Sequence, residues 1–173
     1  MNWRIKVVLP LVKGNLLDIG CGTNEFVKAY RKAHPDRESK GVDVEQWGGV
    51  DIVVSDSSEI PLDDESFDTI TCLAALNYVP NRDKFLLEVK RILDNDGVFI
   101  ISMIPPSIAK IWHRIRSPWD VVSFFSRGMK SHEEFGFTSA QVRELFRKAG
   151  LDIVYEKRFM FGINTAYVAK KIF

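Results

Sequence analysis

The stretch Leu16-Leu17-Asp18-Ile19-Gly20-Cys21-Gly22-Thr23-Asn24-Glu25-Phe26 constrains the fold more than any other part of the chain. An apolar run ends in an acid, passes two glycines and enters a helical pattern, which reads as strand, tight loop and helix N-terminus. Glycines admit positive φ and let backbone N–H groups approach a ligand that a Cβ would hold off. The helix end beyond them presents N–H donors without intrahelical partners and a partial positive charge, suited to a carboxylate or phosphate. A dinucleotide fingerprint, Gly-x-Gly-x-x-Gly, would need a third glycine where this chain has Glu25. Asp18, two residues before Gly20, instead suits a ligand with a cationic amino group.

The segment Asp18-Ile19-Gly20-Cys21-Gly22-Thr23 resembles motif I of the class I S-adenosylmethionine (SAM)-dependent methyltransferases, Asp/Glu-x-Gly-x-Gly-x-Gly. The family's third glycine is Asn24 here, and Asn is the non-glycine residue that best tolerates the left-handed region. Ser39-Lys40-Gly41-Val42-Asp43 reads as strand two, ending in an acid 23 positions after Gly20. A carboxylate at that place can accept both hydroxyls of a ribose, a geometry shared by dinucleotide and SAM folds. Asp56-Ser57 and the run that follows, through Ile60-Pro61-Leu62 to Ser66-Phe67-Asp68, resemble the family's Asp-Ala-x-x-Leu-Pro-Phe-x-x-x-Ser-Phe-Asp segment. That resemblance implies that Asp56 accepts from the adenine amino group and that the Ser57 N–H donates to a ring nitrogen. The set it implies for the cofactor SAM is Asp18, Gly20, Cys21, Gly22, Asn24, Asp43, Val44, Asp56, Ser57 and Leu73. Residues 84–104 resemble the family's Phe-Leu-x-Glu-x-x-Arg-x-Leu-x-x-x-Gly segment.

The resemblance implies an α/β, Rossmann-like, doubly wound sheet of seven mixed strands in order 3-2-1-4-5-7-6, the last antiparallel. The residues agree with that outline. Residues 1–12 read as a short helix or turn on the sheet edge, and Phe26, Tyr30 and Ala33 mark the buried stripe of the helix after the loop, stopped by Pro35. Only seven residues separate Asp43 from a third strand at 51–55, whereas a parallel crossover normally takes a dozen or more. The second crossover is therefore shortened to a turn, with Trp47 either covering the sheet surface that a helix would have buried or merely packing. The acidic cluster at 63–65 reads as a solvated loop. Residues 67–73 form a near-continuous apolar strand, and Phe85, Leu86, Val89, Ile92 and Leu93 follow at helical spacing. Asp94-Asn95-Asp96-Gly97 supplies turn chemistry before a fifth strand at 98–104. Thr138 with Gln141 makes a capping box, Phe137 with Val142 a hydrophobic staple, and Gly150 a helix stop. Strands at 151–159 and 165–171 close the chain as a hairpin.

At 173 residues and 46% hydrophobic, the chain reads as one SAM-dependent methyltransferase domain, residues 1–173. A net charge of +1 argues against a protein built to coat nucleic acid, and no nucleic-acid partner is expected. Two cysteines, Cys21 and Cys72, offer neither a disulfide framework nor metal-ligand spacing, which points to a reducing, cytoplasmic setting and no metal. The apolar patch at 7–12 is too short for a membrane span.

Catalytic residues are less defined. Methyl transfer needs a base only when the acceptor is protonated. Tyr78 stands where many relatives have His, and an ordinary phenol is a poor base. His113 and His132 titrate in a useful range, or are structural. Asn77 either orients an acceptor or caps the following turn. Residues 105–135 fall outside the resemblance and mix Trp112, Trp119, Phe124, Phe125 and Met129 with Lys110, Arg114, Arg116, Arg127 and Lys130. They read as an inserted lid, for an anionic or amphipathic small-molecule acceptor with at most peripheral membrane contact, or as a plain helical cover. The function so implied is methyl transfer from SAM to a small-molecule acceptor such as a metabolite, sugar, quinone-like or lipid-like compound. Two other readings stand beside it: a SAM-binding protein without turnover, and a nicotinamide oxidoreductase.

Overall fold

The computed structural model describes residues 3–108 and 134–172. Helix α1 (Trp3–Val8) leads through a 3-10 turn to strand β1 (Leu16–Ile19), helix α2 (Glu25–Ala33), strand β2 (Ser39–Asp43) and a two-residue strand β3 (Ile52–Val53). Strand β4 (Phe67–Leu73), helix α3 (Arg82–Ile92) and strand β5 (Leu93–Met103) follow. Helix α4 (Ser139–Lys148) and strands β6 (Leu151–Phe159) and β7 (Asn164–Lys171) complete the described chain. The seven strands form one sheet in the order β3-β2-β1-β4-β5-β7-β6. β7 runs antiparallel to both β5 and β6, while β1 through β5 pair in parallel.

Strand parity sorts the apolar side chains into two layers. Leu17, Ile19, Ile70, Phe99 and Ile101 face α3 and α4, whose Phe85, Val89, Val142 and Phe146 complete that core. Leu16, Val98, Ile100, Ala166 and Val168 face α2 and α1. α1 thus lies across a face of the sheet, through Val8 with Ile5 and Val7, rather than on its edge as the sequence suggested. α2 buries Phe26, Val27 and Tyr30, while Ala33 is exposed. Tyr30 sets that rotation by donating its hydroxyl to the Gly14 carbonyl at 2.5 Å, which ties the helix to the entry of β1.

The chain order reverses at β1, whose neighbours β2 and β4 are reached in opposite directions. A crevice must open beyond the carboxyl ends of such strands. Local signals hold the rest of the frame in register. The Thr138–Gln141 capping box forms in full, Phe137 and Val142 are both buried, and Gly150 stops α4 at φ +74. Glu88 and Arg91 on α3 pin the loop ahead of β4. Glu88 Oε1 accepts from Ile60 N, and Arg91 donates to the carbonyls of Ile60 and Leu62 and to Asp64.

The second crossover has no helix, as expected from its length. The third strand is shorter than the 51–55 expected, and this is what lets a short connection suffice. Its ladder with β2 spans only Val42–Ile52 and Asp43–Val53, so the chain returns by roughly 7 Å. Trp47 does not cover the bare surface and is exposed; Val54 and Ile60, backed by Leu62, fill the layer instead.

Asp51 clamps this connection. Its Oδ2 accepts from Gly41 N at 2.7 Å, Arg31 at 2.7 Å and Asn24 Nδ2 at 3.0 Å. Burial pushes the Asp51 carboxyl up, but the bonds from Arg31, Gly41 and Asn24 outweigh it and hold it below the ordinary carboxylate value. Asp51→Ala should strand the Gly41 and Asn24 donors and lower unfolding free energy by about 2–3 kcal/mol. Arg31→Ala, at a half-exposed position, should cost less than about 1 kcal/mol. Urea titration of both variants checks the ranking, and equal midpoints would show that the clamp carries no stability.

Candidate active site

The crevice end of the sheet collects most residues singled out from the sequence. Asp18 lies in β1 and Gly20 follows it, Asp43 ends β2, Asp56 and Ser57 follow β3, Leu73 ends β4, and Asn77 and Tyr78 come after it. His113 and His132 lie outside the described residues, as do Trp112, Arg114, Arg116 and all of 109–133.

The glycine loop is built against β2. Gly20 N and Cys21 N both donate to the Val42 carbonyl, at 2.8 and 3.1 Å. Gly22 N donates to Asp43 Oδ2 at 2.8 Å, and Glu45 N to Oδ1 at 3.0 Å. The three loop amides expected to meet a ligand are therefore committed to β2. They hold the loop open, while each Asp43 oxygen keeps a lone pair for further acceptance.

The two glycines do different work. At Gly20, φ is +76 and a Cβ would stand 2.5 Å from Ala75 Cβ, so this glycine is needed for the β4 loop to pack. At Gly22, φ is +54 and, among the described residues, nothing lies within 4 Å of where a Cβ would be. The open volume of the loop is thus above Gly22, next to the Asp43 carboxylate.

Asn24 takes the left-handed conformation that the third glycine would supply, at φ 62, ψ 25. Its side chain turns into the protein, donating to the Gly49 carbonyl at 2.7 Å and to Asp51. A Cβ on Gly41 would collide with its Oδ1, which couples these two positions. Its side chain thus braces the loop from behind.

Asp18 is buried beneath the loop and accepts from the Thr71 hydroxyl at 2.6 Å. Thr71 is a partner that sequence reading missed; its signal is a hydroxyl in an apolar strand at the register position of Asp18. Burial pushes the Asp18 carboxyl up to about 7, against the Thr71 bond and the nearby Arg4 guanidinium, with Asp43 adding to the rise. Cys21 is pushed up to about 12 by burial and by Asp18, Asp43 and Asp51, so its thiol stays protonated.

Val44 is exposed just past Asp43, and Leu73 is half-buried beside the loop. Asp56 Oδ1 accepts from Ser58 N and Oγ, both at 2.8 Å, and these bonds hold its carboxyl below the ordinary range. Asn77 is bonded to the Glu134 backbone: its Nδ2 donates to the Glu134 carbonyl at 3.2 Å, and Glu134 N donates to the Asn77 carbonyl at 3.1 Å. Tyr78 is half-buried in the same 3-10 turn. Gly136 packs on the Ile104 carbonyl, so the chain leaves β5 and returns toward α4 at one place on this rim. A separate cleft of about 420 Å³ lies at the opposite end of the sheet, among Asp64, Arg91, Asn95 and Lys171, and no expected site residue lines it. Among the described residues, no cluster of three or more His, Cys, Asp or Glu is placed to hold a metal ion.

A methyltransferase-domain family profile matches residues 17–101, which span this site from β1 to β5. The matched domain, the strand order and the enzyme class are those of a SAM-dependent methyltransferase of class I type. The ubiquinone/menaquinone biosynthesis C-methyltransferase UbiE of Campylobacter jejuni is 25% identical over 91% of this chain and 78% of its own. The demethylmenaquinone methyltransferase of Chlamydia pneumoniae is 25% identical over 98% of this chain and 84% of its own. A SAM-dependent methyltransferase from Thermotoga maritima superposes with a TM-score of 0.74 at 20% identity, covering 96% of this chain and 87% of that one. The [4+2]-cyclase SpnF shares the fold at a TM-score of 0.71 and 14% identity, over 98% of this chain and 80% of that one. The methyltransferase's cofactor is SAM, and the open space above Gly22 beside a buried carboxylate suits it.

Two predictions follow from this geometry. Gly22→Ala should keep the melting temperature within a few degrees yet weaken SAM binding, whereas Gly20→Val should lower both, because Ala75 leaves no room. Differential scanning calorimetry with SAM titration separates them, and equal melting of the two variants would overturn the distinction. The second concerns protons. Asp18 binds its proton more tightly folded, near pH 7, than unfolded, near pH 3.9. The stability it contributes is present below about pH 4 and is lost as pH rises toward 7, up to about 4 kcal/mol. Asp18→Asn should flatten that slope in urea titrations between those pH values; parallel slopes would contradict the assignment.

Proposed function

We propose that this methyltransferase transfers the methyl group of SAM to a ring carbon of a reduced, quinone-like acceptor. The observation that carries the reading is the similarity to two quinone-pathway methyltransferases along nearly the whole chain. SAM supplies, when bound, a methyl group on a positively charged sulfur. The chain's own contribution is placement, which can supply up to about 7–11 kcal/mol of a displacement barrier. Asp43 is assigned to the ribose hydroxyls, Asp56 and the Ser57 N–H to the adenine, and Asp18 to the amino group from below the loop. Val44 and Leu73 provide apolar walls. A phenolic ring carbon is nucleophilic once its hydroxyl gives up a proton, so the base required is modest; Tyr78, His113 and His132 are the candidates.

We assign acceptor recognition to residues 105–135, within one catalytic domain. Their aromatic and basic composition suits an amphipathic acceptor, and the described flanks at Ile104, Glu134 and Gly136 border the crevice. A cytoplasmic location fits this chemistry; among the described residues, no helix is long and apolar enough to cross a membrane. The features that favoured a non-catalytic SAM binder have local explanations, since Asn24 adopts the glycine conformation and Asp51 braces the short crossover. Incubating the protein with methyl-labelled SAM and reduced demethylmenaquinone should give ring-methylated product. Transfer only to hydroxyls or amines of saccharide or amine acceptors, in parallel assays, would overturn the acceptor assignment. Arg114→Ala with Arg116→Ala should raise acceptor KM several-fold while SAM affinity stays unchanged.

A further inference from the structure

We propose that the β6–β7 hairpin tip and the first turn of α1 form a docking patch for an anionic lipid surface, beside the active-site crevice. The tip is built against backbone preference. Met160, Phe161 and Gly162 all have positive φ, at 52, 57 and 82, and Ile163 N closes the turn on the Met160 carbonyl at 3.1 Å. Hairpins favour Asn, Asp or Gly at such positions, and apolar side chains carry a steric cost there. Here that conformation presents Phe161 fully exposed, with Met160 also exposed beside it. Neither is placed in the hydrophobic cores.

Strand register locates the tip. Met103, the last residue of β5, pairs with Thr165, and Phe159 pairs with Asn164. Residues 160–163 therefore project past the carboxyl end of β5, on the same rim as Asp43 and Asn77. α1 packs on the face of the sheet that holds Phe159, the last residue before the tip. Arg4 interacts electrostatically with Asp18 at the end of β1, while Ile5 and Val7 pack in the cluster that contains Phe159. Trp3, one residue before Arg4, is exposed, with Lys6 5.7 Å over its ring.

Charge selects the occupant. Lys157 and Arg158 are exposed in the last turn-ward residues of β6, and Lys6 stands beside Trp3; Glu156 pairs with Arg143 at 3.0 Å and with Arg158 at 4.0 Å, which leaves a net positive edge. Exposed Trp and Phe flanked by Lys and Arg is the composition of a shallow interfacial anchor on anionic headgroups. Three exposed side chains also fall short of the roughly 800 Å² per partner that a stable protein interface buries. The patch would bring the crevice close to an acceptor dissolved in the bilayer. Its test needs neither cofactor nor acceptor, so it can fail independently of the catalytic reading.

The full chain, without SAM, should co-sediment with phosphatidylcholine vesicles containing phosphatidylglycerol, and several-fold less with phosphatidylcholine alone or at high salt. Phe161→Asn should weaken that association at least about tenfold, while leaving the melting temperature unchanged or higher because Asn suits the turn. Lys157→Glu should weaken it selectively on anionic vesicles. No sedimentation of the parent, or undiminished binding by Phe161→Asn, would overturn the proposal. So would lipid-free self-association abolished by Phe161→Asn, which would assign the tip to a second copy of the chain.

Discussion

The amide of Gly22 donating to Asp43 is the contact on which the glycine loop depends. It fixes a left-handed glycine with open space above it to a carboxylate at the end of the neighbouring strand. With Gly20 and Cys21 bonded to the Val42 carbonyl, the loop is held by β2 along its whole length. The arrangement is possible because β1 and β2 are adjacent and parallel at the point where strand order reverses. A donor–acceptor pair within one sheet thus shapes the crevice before any ligand enters, and the ordering cost is met during folding.

The shortened second crossover shows how such a loop survives the loss of a flanking helix. Asn24, Arg31 and Gly41 converge on one Asp51 oxygen. α2, β2 and the chain entering β3 are thereby bound together by polar contacts where a helix would have used apolar packing. Asp51 also reaches the loop from behind through Asn24, so bracing of the β2–β3 connection and shape of the glycine loop are mechanically linked. The buried Asp18 opposes folding at neutral pH, because burial disfavours its charged form.

Sequence reading was reliable where a local rule decides structure. The capping box at Thr138 and Gln141 and the stop at Gly150 follow from cap chemistry, the strand order follows from the family resemblance, and all are present. It failed where a side chain chooses among partners distant in sequence. Nothing local says that Trp47 stays exposed while Ile60 fills the layer, or that Val27 rather than Ala33 completes the buried face of α2. That the candidate site's positions gather at one end of the sheet was legible; their contacts were not. Asn24 reads as a ligand-loop residue, yet its amide faces Gly49 and Asp51. Asn77 reads as an acceptor or turn residue, yet its partner is the Glu134 backbone, 57 positions away.

The Asp43 carboxylate holds the Gly22 loop, and we propose that it also receives the SAM ribose. Calorimetric titration of SAM into the parent and into Asp43→Ala tests it most directly, with circular dichroism showing that the sheet persists. Asp43→Ala should lose about 1.5–3 kcal/mol or more in binding free energy, as for hydrogen bonds to a charged group. Equal SAM affinity in a folded Asp43→Ala variant would contradict it.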